Sequence, residues 1–119
     1  MKTFTIRPRA RSRYHFLVRV FNSHRMMLEH ERAIDGDVAR DYRALTVRYE
    51  PHEGKGTTLG EILFTVRELT PELIAHEATH AAEWYGRRMG RRDGETIATA
   101  GGVMTAAILD KLKTLNDKG

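Results

Sequence analysis

The chain has 119 residues, of which 40% are apolar and 30% charged, with a net charge of +4 and a pI near 9.7. That length supports a single domain over residues 1–119, the composition is that of a globular chain rather than a disordered one, no internal repeat or low-complexity tract is present, and the absence of cysteine excludes a disulfide-stapled scaffold. No apolar run approaches the ~20 residues of a membrane span and no leader pattern opens the chain, so a cytoplasmic protein with no membrane partner is expected.

Residues 3–7 alternate weakly and predict a short strand. Tyr14, Phe16, Val18 and Val20 alternate with His15, Leu17, Arg19 and Phe21 in a stronger pattern that suits a central strand. Ser23 then caps a helix from His24 to Asp35 with Gly36 as its stop, a hairpin at Asn22-Ser23 being the alternative. Met26, Met27 and Leu28 read as core, and His24 and His30 as surface residues. Leu45, Val47 and Tyr49 mark a strand ending at Pro51, followed by a turn-rich loop to Thr58. Ile62, Phe64 and Val66 alternate with Leu63 and Thr65 in a last strand, so strand, loop and strand predict an antiparallel hairpin.

The next segment starts as helices start, with Thr70 at the N-cap, Pro71 at the first helical position and Glu72 in the first turn. It continues to about Met89, where Gly90 is the expected C-cap and Arg87 and Arg88 suit the negative end. Asp93 caps a second helix whose apolar stripe is Ile97, Gly101, Met104, Ile108, Leu112 and Leu115, fraying from Leu112 onward. Gly101-Gly102 suggests close packing on the first helix, where Ala78, Ala81 and Ala82 are also small. The fold class that follows is α+β, with a small mixed sheet against two helices.

Mid-way along the first of these helices stands His76-Glu77-Ala78-Thr79-His80. Positions i and i+4 share one face, so both imidazoles can address a single ion, and zinc suits imidazole nitrogen. Glu77, rotated about 100° from His76, misses the ion and is placed to act as general base toward a water held there. A hydrolytic zinc site wants a third protein donor. Glu83 is two turns from His76 and can at most orient His80. Glu95, in the first turn of the second helix, is the leading candidate, with Asp93 and the remaining histidines as alternatives.

His76-Glu77-x-x-His80 followed by Glu95-Thr96-Ile97-Ala98 resembles the Glu-zincin (gluzincin) metallopeptidases, most closely the ImmA/IrrE and SprT-like groups and the minimal zincins of phages and mobile elements. The resemblance covers residues 59–100. It implies a zincin-like fold with a metal-binding helix and a second C-terminal helix. It also implies one Zn2+ per chain on His76, His80 and Glu95, and hydrolysis of peptide bonds with Glu77 as base. A peptide substrate would then lie along an edge strand at about residues 60–66. His52 is the best guess for an oxyanion donor; His15 could sit on a strand face or in the cleft, and Tyr85 points away from His76.

Arg7, Arg9, Arg11 and Arg13 near the start, and Arg87, Arg88, Arg91 and Arg92 after the motif, form two basic clusters. They make nucleic acid a possible partner. The alternative to an enzyme is a binding module, associated with nucleic acid or a partner protein, that keeps the metal with little or no hydrolysis.

Overall fold

The computed structural model describes residues 2–35, 43–51 and 56–117; Gly36, His52 and residues 118–119 lie outside them. The described chain forms β1 (Lys2–Ile6), β2 (His15–Phe21), α1 (His24–Asp35), β3 (Ala44–Arg48), β4 (Thr58–Thr65), α2 (Pro71–Arg88) and α3 (Gly94–Asp117). The fold is α+β. One four-stranded sheet has the order β1-β2-β4-β3. β1 and β3 run antiparallel to their neighbours, and β2 and β4 run parallel to each other.

The sheet is covered on both faces. Phe16, Val18, Val20, Ile62 and Phe64 pack with Ile74, Ala78, Ala81, Trp84, Met104 and Ile108 of α2 and α3. On the opposite face Phe21, Val47, Tyr49 and Leu63 pack with Met27 of α1. The sequence pattern led us to expect two helices against the sheet; α1 is a third, and it explains why β4 is apolar on both faces. Every residue from Leu59 to Thr65 is buried. A strand that reads as an unbroken apolar run is an interior strand. The expectation that residues 60–66 form a substrate-binding edge is therefore corrected: β4 is flanked by β2 and β3, and the edge beside α2 is β3.

Local expectations held where a side chain fixes its own backbone. Ser23 Oγ accepts from Met26 N at 3.2 Å, which starts α1 and excludes the hairpin. Thr70 Oγ1 accepts from Leu73 N at 3.2 Å, and Asp93 Oδ2 from Thr96 N at 2.9 Å. Gly90 takes φ +70° at the turn between α2 and α3, a conformation glycine adopts without strain. Three local readings are corrected. Met26 is exposed while Met27 is buried. α3 runs to Asp117 instead of fraying from Leu112, because Leu112 still packs on the core. His30 is not a free surface residue.

His30 belongs to a polar cluster beneath α1. Glu61, 3% exposed, receives Arg19 Nε at 2.5 Å, lies 2.8 Å from His30 Nε2 and accepts from the Tyr49 hydroxyl. Burial pushes the Glu61 carboxyl up, but the bonds from Tyr49, His30 and Arg19 and the Arg19 charge outweigh it and hold the group below the usual glutamate value. A depressed carboxylate contributes stability above its unfolded pKa, and that contribution fades as pH falls through the folded value. We expect the stability gap between the native chain and Glu61→Gln to be widest near neutrality and to narrow progressively as pH falls below the ordinary glutamate value of about 4.3. Thermal melts of both at stepped pH check this; a gap constant down to pH 3 would remove the ion pair from the account.

Candidate metal centre

α2 is fixed across the sheet by polar contacts as well as packing. Trp84 Nε1 donates to Leu59 O of β4 at 2.9 Å, and Arg88 Nη1 donates to Tyr49 O beyond β3 at 2.9 Å. These contacts set the rotation of the helix about its axis. Ile74, Ala78 and Ala81 face the core, Glu77 faces β3, and His76 and His80 lie on the rim between sheet and solvent.

The two histidines converge. Their Nε2 atoms are 3.1 Å apart and their rings meet edge to face at 87°. With zinc–nitrogen bonds of 2.0–2.1 Å, that separation corresponds to an angle of about 100° at an ion, near tetrahedral. The separation is one that two ligands of a single ion can have, and equally that of a hydrogen bond between the two imidazoles. Glu77 is 5% exposed, and Thr46 Oγ1 lies 2.8 Å from its Oε1 and 3.1 Å from its backbone oxygen. Thr46 belongs to edge strand β3, so the carboxylate is held between helix and strand. A cleft of about 490 Å³ runs along this junction, lined by Arg43, Ala44, Thr46, Arg48, His76, Glu77 and His80 among others.

Glu95 is not brought to this cleft. The turn at Gly90 sends α3 back antiparallel along α2, so that Ile97 lies against Gly86 and Gly101 against Thr79 and Ala82. Gly101 is thus the residue level with His80, and Glu95 is more than a turn and a half before it, about 9 Å along the axis. Glu95 instead lines a separate hollow with Arg9, Tyr85, Arg91 and Thr99. Asp93 is engaged as the α3 cap, where the Thr96 amide and hydroxyl hold its carboxyl below the ordinary aspartate value. Glu83 is exposed on α2. Among the described residues no three His, Asp or Glu side chains are grouped to hold an ion. The two histidine nitrogens converge, and Glu95, the expected third ligand, does not join them.

The other sequence candidates are dispersed. His15 Nε2 pairs with Thr58 Oγ1 at 2.8 Å, outside the cleft. Tyr85 is buried beside Met89, and Arg9, Arg11 and Arg13 share a hollow with it and Tyr14. Thr46, Arg43 and Arg48 were missed. Alternation along β3 places Thr46 on one face, but only the packed helix shows that this face meets Glu77. Against known protein families, curated proteins and solved structures the chain finds no match.

Proposed function

We propose that the cleft between α2 and β3 is the zinc site of a metal-dependent hydrolase acting on peptide bonds. The observation that carries this reading is the convergence of the His76 and His80 Nε2 atoms, 3.1 Å apart, beside a buried glutamate tethered to an edge strand. His76 and His80 would hold the ion, and the third protein donor that a hydrolytic zinc site wants is not among the described residues gathered at this cleft. Bound there, zinc would supply Lewis acidity and a water of lowered pKa. Glu77 accepts the proton of the attacking water and returns it to the leaving amine. Thr46 keeps the Glu77 carboxylate oriented by hydrogen bonding to it, and its own strand gives an extended peptide a place to pair by main-chain hydrogen bonds. The substrate strand in this reading is β3, residues 44–48, in place of 60–66.

Zinc titration with a competing chromophoric chelator tests the site. One ion per chain is expected, weakened more than about 100-fold in His76→Ala and His80→Ala, since even outer-shell partners of a ligand matter by 10–100-fold. Glu95→Ala separates geometry from resemblance: the helix hairpin requires unchanged affinity, and a loss as large as that of His80→Ala would mean that α3 sits differently on α2. A native chain that takes up no zinc would end the hydrolase reading.

A further inference from the structure

We propose that the hollow between the β1–β2 loop and the paired helices α2 and α3 binds single-stranded nucleic acid, with phosphates on an arginine rim and a base against an apolar floor. The excess positive charge of the chain is local. No acidic residue precedes Glu29, whereas Lys2 and six arginines do, and these seven charges exceed the net +4 of the whole chain, so the remainder is acidic. Arg19 is paired with Glu61 and Arg25 with Glu29. Arg7, Arg9, Arg11 and Arg13 stand exposed between β1 and β2 and form no ion pair among the described residues. A surface that only keeps a protein soluble intersperses both signs, and this one carries a single sign.

The loop is held in shape by its own residues. Pro8 is fully buried, Ser12 N donates to Arg9 O at 3.1 Å, and Tyr14 N donates to Ser12 Oγ at 3.0 Å. The bend places Arg9, Arg11 and Arg13 around a hollow of about 670 Å³ that Tyr85 and Met89 of α2 and Val103 of α3 also line. Among the described residues no acid lines it. The Arg13 guanidinium lies over the Tyr14 ring, 5.0 Å from its centroid, and donates to the Tyr14 hydroxyl at 3.0 Å. A guanidinium over an aromatic ring is a surface of the kind on which a nucleobase stacks. The second arginine cluster reaches the same end of the molecule. Arg91, just after the turn at Gly90, shares an adjoining hollow with Arg9 and Tyr85. Asp93 and Glu95 stand near Arg91 and offset part of its charge, so the loop supplies most of the rim.

The shape of the hollow selects among anions. An anionic membrane is a flat surface and leaves a recess beneath the arginines unfilled. An acidic peptide brings carboxylates but no flat apolar group for the floor. A nucleotide brings both: a phosphate that a guanidinium takes bidentately, and a base for the aromatic and apolar side chains below. In a duplex the base is held in the stack, so a single strand fits at lower cost. The hollow shares no lining residue with the cleft at His76 and His80, and the proposal stands independently of the hydrolase reading.

The test is fluorescence anisotropy of a labelled oligothymidylate titrated with the full chain, beginning at low ionic strength. Saturable binding is expected, with a log–log salt slope of about −2, the value for roughly three neutralised phosphates on a single strand. Arg9→Gln, Arg11→Gln and Arg13→Gln should each weaken binding and flatten the slope by about 0.7. Arg32→Gln removes the same charge from an exposed position on α1, across the sheet, and should change neither. An abasic strand of equal length should bind about fivefold or more weakly, the cost of one lost stacked base. A duplex should also bind more weakly than the single strand. No saturable binding at low salt, an equal loss in Arg32→Gln, or equal affinity for the abasic strand or the duplex would overturn the proposal. So would tighter binding of polyglutamate or of phosphatidylserine vesicles than of the oligothymidylate.

Discussion

Replacing Glu77 with glutamine is expected to lower peptide hydrolysis by at least about 100-fold, the lower end of what a positioned general base contributes. Zinc affinity should stay within a few-fold of the native value. The change is almost isosteric. A glutamine oxygen still accepts from Thr46 Oγ1, now 2.8 Å from Glu77 Oε1, so α2 and β3 keep their junction. His76 and His80 are untouched and, in the proposed site, would hold the ion as before. What the amide cannot do is take a proton from water. A library of internally quenched peptides supplies the activity readout, and zinc titration shows that the site survives. Hydrolysis undiminished in Glu77→Gln would remove the glutamate from the chemistry. A native protein that binds zinc and a partner but cleaves nothing, with the binding indifferent to Glu77→Gln, would favour the binding-module reading.

Gly60→Ala should be among the most damaging single-methyl additions in the protein. A Cβ there would lie 2.2 Å from Val47 O and 3.3 Å from Val47 C, both backbone atoms of the paired strand. Because these are not the far end of a flexible side chain, strand β3 itself must move. Overpacking of this kind costs about 3 kcal/mol or more when the neighbour cannot yield, equivalent to a fall in melting temperature on the order of 10 °C. The effect reaches the cleft, because β3 also carries Thr46, which holds Glu77, so hydrolysis in the surviving folded protein should suffer too. Gly102→Ala is the control: nothing lies within 4 Å of its Cβ position, and replacing a helical glycine should stabilise α3 by about 0.5–1 kcal/mol. Melts of both variants check the pair. A Gly60→Ala protein as stable as the native one would mean that β3 and β4 are not packed in this register.

The same contrast between local and non-local information runs through the whole molecule. Ser23, Thr70 and Asp93 determined where α1, α2 and α3 begin, because a capping side chain bonds to backbone two or three residues away and needs nothing else. The i, i+4 spacing of His76 and His80 determined that their imidazoles would meet, because one helical turn brings such positions together whatever surrounds the helix. Alternation revealed β2 and the β3–β4 pair.

Tertiary structure decided everything that depends on which surface meets which. β4 is as apolar as a strand buried on both faces must be, but its sequence alone does not say that α1 covers the second face, and so the sequence suggests an edge strand at 60–66 where the fold has it at 44–48. Glu61 is a lone acid in an apolar strand, and only the packing shows that Arg19 of β2, His30 of α1 and Tyr49 after β3 close around it. Glu95 follows the histidines at a suggestive distance in sequence, yet its place is set by the length of α2 beyond His80 and by the tight turn at Gly90. Antiparallel packing then brings Gly101, and not Glu95, level with the pair. Spacing within one helix is a property of the backbone, whereas proximity between helices is a property of their packing, and only the first can be read along the chain.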